Sequence, residues 1–360
     1  MEDFAAHSSA PVLTDIPRYS APTEAIGPRE DRPAIPPLNL ALFWITMFTT
    51  TMIGGTMAGG DYSLWHPLHS IASLAGGLSF SLPLMAILLA HEMGHYLTAR
   101  ANNVNTSLPY FIPAPPVVPF IIGTFGAFIR MREVPKTRRV MFDIGAAGPW
   151  AGAIIAIPLL IIGLKLSSVT PLENTAGGGI ELGNSILFWS LSRLVLGVNP
   201  ATVNVNLHAT AFAGWIGLLV TTLNLLPVGQ LDGGHVIYAL FPRAHRRIGI
   251  LFIVFCGAMV LIPYLLDYEF WAGWLLWGVL ALMLGVGHPA TVDRDTPLDP
   301  LRRRAAWATI VLFLLTFSPV PVSFSQPPAS QDQQAPQNSG TEVIYHAHAN
   351  PWRHLPNVRI

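Results

Sequence analysis

The sequence predicts an all-α polytopic membrane protein with about seven transmembrane helices, a re-entrant loop and a small β-element. Three observations predict this class. Only 11% of the 360 residues are charged, whereas a soluble domain carries about 25%. The charges are absent from long blocks, and the basic residues gather in alternate loops. So few charges cannot cover a soluble globular enzyme, and a net charge of zero argues against nucleic-acid binding.

Apolar, uncharged stretches recur along the chain at the length of roughly 20 residues that a membrane-spanning helix needs. The predicted spans are residues 39–58, 70–97, 142–164, 204–226, 248–266, 269–286 and 305–323. With the N-terminus inside, 16 of the 20 Lys and Arg residues fall in the inner segments. This bias follows the positive-inside rule and supports both the orientation and the number of spans.

One uncharged block, residues 101–129, does not suit a helix. Five prolines lie between Pro109 and Pro119, and each removes a helix donor. The β-branched and aromatic run from Phe120 to Ile129 is typical of a strand. Irregular backbone at membrane depth must be buried in protein or line a cavity. We therefore expect a re-entrant loop with a β-element; a surface loop is the alternative.

The two ends of the chain differ in composition from the transmembrane domain at 39–323. Residues 1–38 are rich in Pro, and residues 324–360 are rich in Gln, Pro and Ser. Both compositions predict disordered tails. The N-terminal segment resembles neither a cleavable signal peptide nor a transit peptide. The expected location is therefore a bacterial plasma membrane, with the N-terminus and the active site on the cytoplasmic side.

A metal-binding motif, His91-Glu92-Met93-Gly94-His95, lies at the inner end of the second span. Residues four apart share one face of a helix, so His91 and His95 can bind one metal ion. Imidazole nitrogens suit zinc, and a catalytic zinc site keeps one position open for water. Glu92 is then the general base for that water. The alternative is a polar cluster paired within the helix bundle.

The best candidate for a third ligand is Asp232, which follows the fourth span at the same depth and side as the two histidines. Two glycines follow Asp232 and allow a close approach of the backbone. Pro227 breaks the preceding helix. The alternative is that Asp232 caps the N-terminus of the next short helix.

These motifs together resemble the site-2 protease family of intramembrane zinc metalloproteases. The motif of His91 and His95, Asn224-Leu-Leu-Pro227 and Leu231-Asp232-Gly233 carry the resemblance, and Asp143 to Pro149 looks like the start of the third core helix. The resemblance runs over about 80–290. It implies a catalytic core of that type, one Zn²⁺ ion held by His91, His95 and Asp232, and Glu92 as the catalytic residue.

The resemblance also implies cleavage of transmembrane segments of other proteins, as in regulated intramembrane proteolysis. The expected partners are single-span membrane-protein substrates and the lipid bilayer, and neither nucleic acid nor nucleotide is expected. The stretch Gly123, Thr124, Phe125 and Gly126 resembles a substrate-binding β-element, whose edge could pair with an unwound substrate. Asn224 could bind the substrate backbone or the developing oxyanion, or satisfy broken helix backbone near Pro227.

Further residues resemble the plastid and cyanobacterial branch of the family, among them Gly229, His208 and Gly287-His288-Pro289. Many bacterial members carry a PDZ domain, but the outer loop at 165–203 is too short for one. Two other functions stay open at this point. One is a polytopic transporter or channel with a metal-binding site, against which no inverted repeat is seen. The other is an inactive protease-like scaffold.

Overall fold

The structure is a computed structural model. It describes residues 36–58, 71–116, 122–171, 179–268, 271–287, 291, 293, 296–325 and 343–346. The helices are α1 (Pro37–Met57), α2 (Ile71–Ala101), α3 (Arg138–Leu166), α4 (Ile186–Leu196), α5 (Ala209–Asn224), α6 (Asp232–Leu240), α7 (His245–Leu265), α8 (Gly273–Leu284) and α9 (Pro300–Thr316). The strands are β1 (Tyr110–Pro113), β2 (Thr124–Phe128), β3 (Ser168–Pro171), β4 (Gly179–Leu182), β5 (Val203–Asn206), β6 (Val322–Ser325) and β7 (Val343–His346).

Four helices in the described ranges are long and apolar enough to cross a membrane. They are Pro37–Met57, Leu74–Ala101, Arg138–Leu166 and His245–Leu265. The other three predicted spans overlap α5, α8 and α9, which have 16, 12 and 17 residues. A 12-residue helix is about 18 Å long, shorter than a hydrocarbon core of about 30 Å. The structure therefore confirms a mostly helical chain with four candidate membrane-spanning helices, and it confirms neither seven spans nor the re-entrant loop.

Local sequence explains where two of these shorter helices end. Helix α5 ends at Asn224, three residues before Pro227. Pro227 has no backbone N–H to donate to a helix, and it disfavours helical backbone angles at the residue before it. After Leu284, Gly285 has a positive φ of 78°, a conformation that glycine adopts at little cost.

The core of the fold lies where α2, α3 and α5 pack together. Its fully buried side chains include Phe80, Leu84, Ile87, Leu160, Phe212 and Ile216. Small residues let the helix backbones approach closely, as is common in membrane proteins. A Cβ at Gly163 of α3 would lie 2.1 Å from the Ala211 nitrogen of α5. The three helices thus pack closely together, and the site described below is built on them.

Strand β2 lies within the run 120–129 for which a strand is predicted, whereas β1 lies among the prolines, where none is predicted; α1 holds both. The strands pair antiparallel, with a register shift between Phe111 and Pro113. The Asn39 amide donates to the carbonyl oxygens of Leu108 and Pro109 at 3.1 and 2.8 Å. The Thr49 hydroxyl donates to the Gly123 carbonyl at 2.7 Å. Residues 117–121 of the predicted loop lie outside the described residues.

A second sheet has the strand order β3-β5-β7-β4-β6. Its neighbours are antiparallel except β4 and β7, which are parallel. Strand β7 lies within segment 324–360, for which the composition predicts disorder, and β6 reaches its first two residues. The β-branched and aromatic residues of Val343-Ile-Tyr-His346 favour a strand. Most of both tails, including 1–35, lies outside the described residues.

Candidate metal centre

His91 and His95 lie one turn apart on α2, as the motif predicts. Their side chains are buried, with 3% and 6% of each residue exposed. The two rings meet edge to face, with centroids 4.9 Å apart. Burial removes water as an alternative partner for the ring nitrogens, so each nitrogen needs a partner within the protein or a bound ion.

Asp232 joins the two histidines from α6. Its Oδ2 atom lies 3.3 Å from His91 Nε2 and 3.2 Å from His95 Nε2. The two Nε2 atoms are 3.2 Å apart. Leu231 is the N-cap of α6 and Asp232 its first residue, so the carboxylate faces the histidines rather than capping the helix.

The glycines after Asp232 make this placement possible. A Cβ at Gly233 would lie 2.0 Å from the Leu225 carbonyl oxygen, and one at Gly234 would lie 2.3 Å from that of Gly229. The chain between α5 and α6 therefore folds back onto itself more tightly than a side chain would allow. This close approach brings Asp232 to the level of the histidines.

The three donor atoms fit a zinc ion. Ligands about 2.0 to 2.1 Å from a tetrahedral zinc ion lie about 3.3 Å from one another, which matches the observed separations of 3.2 to 3.3 Å. The His95 Nδ1 atom contacts the Ile144 carbonyl oxygen at 2.7 Å and must donate to it. In a neutral ring, Nε2 then carries a lone pair that points toward the Asp232 carboxylate. Both atoms are electron-pair donors, and a cation between them would bind both.

The charge of Asp232 agrees with this role. Burial opposes ionisation of the carboxyl, but in the metal-free site the positive charge of a protonated His95 and the hydrogen bonds of both imidazoles outweigh it, so the pKa of Asp232 lies below its usual range. An ionised carboxylate is the form that binds a metal ion.

Glycines of α3 provide the space that the histidine rings occupy. A Cβ at Gly148 would lie 2.0 Å from His95 Nε2, and one at Gly152 would lie 3.2 Å from His91 Nδ1. A Cβ at Gly145 would lie 2.6 Å from the Cβ of His235. The sequence alone gives these glycines no role at the site, although their spacing of three and four residues marks one helix face.

Glu92 lies between two cavities. It lines one of about 190 Å³ that holds the two histidines and Asp232, and one of about 400 Å³ that is mainly apolar. Ile129, just after β2, lines the smaller cavity together with Glu92. The end of the β-hairpin is thus adjacent to the candidate general base.

The larger cavity brings together most of the predicted substrate-binding residues. Thr124, Phe125, Gly126 and Asn224 line it. Gly123 does not; it packs against α1, where its Cβ would lie 2.7 Å from the Thr49 carbonyl oxygen. The rest of the wall is apolar and includes Leu84, Leu88, Ile216, Val220, Phe252, Trp277 and Leu280. The Asn224 amide nitrogen lies 3.3 Å from His91 Nε2, so Asn224 connects the cavity to the metal centre.

His208 is not part of this centre. His208 caps α5, where its Nδ1 accepts from the Thr210 backbone nitrogen at 3.2 Å. It lies at the opposite end of that 16-residue helix from Asn224, about 24 Å away along the axis. His288 and Pro289 lie outside the described residues.

Comparisons with known proteins agree with the geometry. The model of peptidase family M50 matches residues 79–262. The chain is 32% identical over 267 residues to the protein named probable zinc metalloprotease EGY1, chloroplastic, of Arabidopsis thaliana, a match that covers 72% of this chain and 45% of that protein. It is 28% identical over 265 residues to probable zinc metalloprotease EGY2, chloroplastic, of Oryza sativa subsp. indica, covering 73% and 46%.

A more distant relative is probable zinc metalloprotease EGY3, chloroplastic, of Oryza sativa subsp. indica, with 26% identity over 276 residues that cover 66% of this chain and 42% of that protein. The chain thus spans less than half the length of these relatives. All three are named chloroplastic, which does not support the expected bacterial plasma membrane. No solved structure matches the chain.

Proposed function

The chain belongs to peptidase family M50, the site-2 protease family that its motifs resemble, and from this premise we propose that it is an intramembrane zinc metalloprotease. Its proposed substrates are single-span membrane proteins, cut in or near their transmembrane segments. The observation that carries the proposal is the triangle of Nε2, Nε2 and Oδ2 atoms with edges of 3.2 to 3.3 Å, with Glu92 next to it.

His91, His95 and Asp232 would hold one zinc ion. When bound, zinc would lower the pKa of a water ligand toward 7 and polarise the carbonyl of the scissile bond. The two histidines contribute neutral nitrogens and Asp232 one negative charge, which leaves the site with net positive charge for an electrophilic role. The hydrogen bond from His95 Nδ1 to Ile144 fixes the tautomer that exposes Nε2.

Glu92 would handle the proton. Only 6% of the residue is exposed, and it lines both cavities, so its carboxylate can face water on one side and a peptide bond on the other. It would accept the proton of the attacking water and then donate it to the leaving amine. Holding the same proton through both steps requires shelter from bulk solvent, which the burial provides.

Strand β2 would present the substrate to Glu92. One edge of β2 pairs with β1, and Thr124 and Gly126 of β2 line the larger cavity. An extended substrate segment could pair along its free edge by β-augmentation. The peptide groups of a helix are engaged in internal hydrogen bonds, which a substrate loses when it unwinds. Hydrogen bonds to the strand would replace them. The Asn224 amide would donate to the substrate carbonyl as negative charge develops on it.

The proposed membrane arrangement extends the four long helices with α5, α8 and α9 to seven crossings, and places the hairpin of β1 and β2 at membrane depth. The charge bias supports a metal centre near the side that carries most of the Lys and Arg residues. Water can reach a site at this depth, as hydrolysis requires.

The test is cleavage of a model single-span substrate by the purified full chain in lipid nanodiscs, with added zinc. Wild-type protein should release two fragments, and Glu92→Gln should release none while it retains zinc. Glu133→Gln changes an exposed carboxyl and should cleave normally. Cleavage by Glu92→Gln at the wild-type rate would refute the mechanism. A zinc-loaded wild-type protein that cleaves no membrane substrate would favour the transporter or scaffold alternatives.

A further inference from the structure

An ion pair joins the last described helix to α3 close to the metal centre. Arg302 of α9 donates from Nε to Asp143 Oδ1 at 2.8 Å and from Nη2 to Oδ2 at 2.7 Å. This two-point contact is the strongest geometry of an arginine and a carboxylate. The third nitrogen, Nη1, donates to Asp299 Oδ2 at 2.6 Å, so neighbours on two sides fix the guanidinium plane.

Asp143 connects this pair to a candidate zinc ligand through one peptide unit. The next residue is Ile144, and its carbonyl oxygen accepts the His95 Nδ1 hydrogen bond at 2.7 Å. A partner of this kind sets the orientation of a metal-binding imidazole. Any movement of this turn of α3 would therefore move the acceptor that orients His95.

The same helix also packs against the element that carries Asp232. Ala306 of α9 is fully buried in a cluster with Phe142 and Ala146 of α3 and Val236 of α6. The Trp150 indole donates to the Thr309 hydroxyl at 2.9 Å. Helix α9 lies outside residues 79–262, which the family model matches, so its contacts are additional to the matched core.

We propose that Arg302 and Asp143 are positioning residues for the metal centre, which hold the α3 turn so that the Ile144 carbonyl orients His95. The proposal rests on the proposed function only in taking His95 as a zinc ligand. The alternative is that this ion pair only stabilises the fold. That role would be small, because partly exposed ion pairs contribute little to the free energy of unfolding. The side chains of Arg302 and Asp143 are 37% and 19% exposed, so the effect on the metal should be moderate.

The experiment measures metal affinity rather than activity. The purified full chain is stripped of metal, and Zn²⁺ affinity is measured by competition with a chromophoric chelator. Direct partners of metal ligands change affinity by about 10- to 100-fold; this pair acts one peptide further away, so we expect about tenfold weaker binding for Arg302→Gln and for Asp143→Asn. The double variant should bind no more weakly than either single one. Arg302→Lys keeps the positive charge but loses the two-point contact with Asp143, so its zinc affinity should lie between that of wild type and that of Arg302→Gln.

Arg303→Gln is the matched control, because it removes one exposed positive charge from the next position of the same helix. Its affinity should stay within twofold of wild type. The Co²⁺ absorption spectrum of each variant reports the ligand geometry directly, and Arg302→Gln should alter it. Thermal unfolding of the metal-free proteins identifies variants that are only destabilised. If Arg302→Gln does not fold, the zinc affinity and the Co²⁺ spectrum of Arg302→Lys test the proposal instead.

Unchanged affinity and an unchanged Co²⁺ spectrum, with or without a lower unfolding temperature, would overturn the proposal. So would additive losses in the double variant, or no metal binding by wild type. A wild-type protein that binds zinc but cleaves no substrate would refute the proposed function alone, because the affinity comparison needs no substrate.

Discussion

Substituting Gly148 by alanine tests the metal centre without touching a ligand. The added methyl carbon would lie 2.0 Å from His95 Nε2, 2.4 Å from Cδ2 and 2.5 Å from Cε1. Non-bonded atoms of this kind normally stay about 3.5 Å apart, so the ring or the helix must shift by more than 1 Å, on the order of the overlap. The ring has little room to move, because it is buried and its Nδ1 contacts Ile144 at 2.7 Å.

A shift of this size removes His95 from the triangle of donor atoms. Zinc sites tolerate about 0.2 Å of variation in ligand distance. Disturbing only the partners of a ligand costs 10- to 100-fold in affinity, so displacing the ligand should weaken zinc binding by at least about 100-fold. Misplacement by about 1 Å can also cost about 100-fold in rate. We therefore expect Gly148→Ala to bind little zinc and to show no measurable cleavage.

The assay combines zinc content per protein with fragment release in nanodiscs. Gly257→Ala is the control, because a Cβ there meets no atom within 4 Å and alanine favours a helix over glycine by about 1 kcal/mol. Gly152→Ala gives a graded comparison, since its 3.2 Å contact with His91 Nδ1 needs a shift of only a few tenths of an ångström. Full zinc content and normal cleavage in Gly148→Ala would refute the reasoning.

Three further predictions concern the ligands and the cavity. Removing zinc with a chelator should lower the unfolding temperature, because zinc at 100 times its dissociation constant stabilises the folded state by about 2.7 kcal/mol. Calorimetry measures this shift, and the unfolding temperature of Asp232→Ala should not respond to the chelator. Thr49→Val removes the hydrogen bond to the Gly123 carbonyl, worth about 1 kcal/mol, and should raise KM several-fold at unchanged zinc affinity; a changed affinity would contradict a role confined to the hairpin. Trp277→Ala widens the apolar cavity and should shift cleavage toward substrates with bulkier apolar side chains near the scissile bond, as mass spectrometry of the products would show; an unchanged product pattern would exclude this wall from the substrate site.

The sequence predicted those parts of the candidate site that depend on short-range spacing. His91 and His95 share a face because a helix repeats every 3.6 residues. The charge pattern predicted that Asp232 follows its span on the same side as the two histidines, and the structure brings the three side chains together. The resemblance to site-2 proteases, which these motifs carried, is confirmed by the family match.

Other features depend on contacts between distant residues, which one sequence does not reveal. Asp143 and Arg302 are 159 positions apart, and nothing local to either one marks its partner. The second sheet pairs β7 with β4 and β5 from far along the chain. The space at Gly148 is meaningful only once His95 is known to face it. Hydropathy gave the helical segments but not their ends: α8 begins at Gly273 and ends at Leu284, before Gly285, so it has 12 residues where the predicted span is 269–286.

The glycine face of α3 has a consequence for where such a centre can exist. Each glycine in a helix interior costs about 1 kcal/mol relative to alanine, so Gly145, Gly148 and Gly152 make this stretch a poor helix former in water. In a lipid environment, unpaired backbone groups cannot form hydrogen bonds with water, so helical hydrogen bonding is nearly obligatory. The bilayer can thus enforce a helix that its own sequence disfavours. In water, packing against the histidine rings would have to offset the helix-propensity cost of these three glycines, about 3 kcal/mol in total.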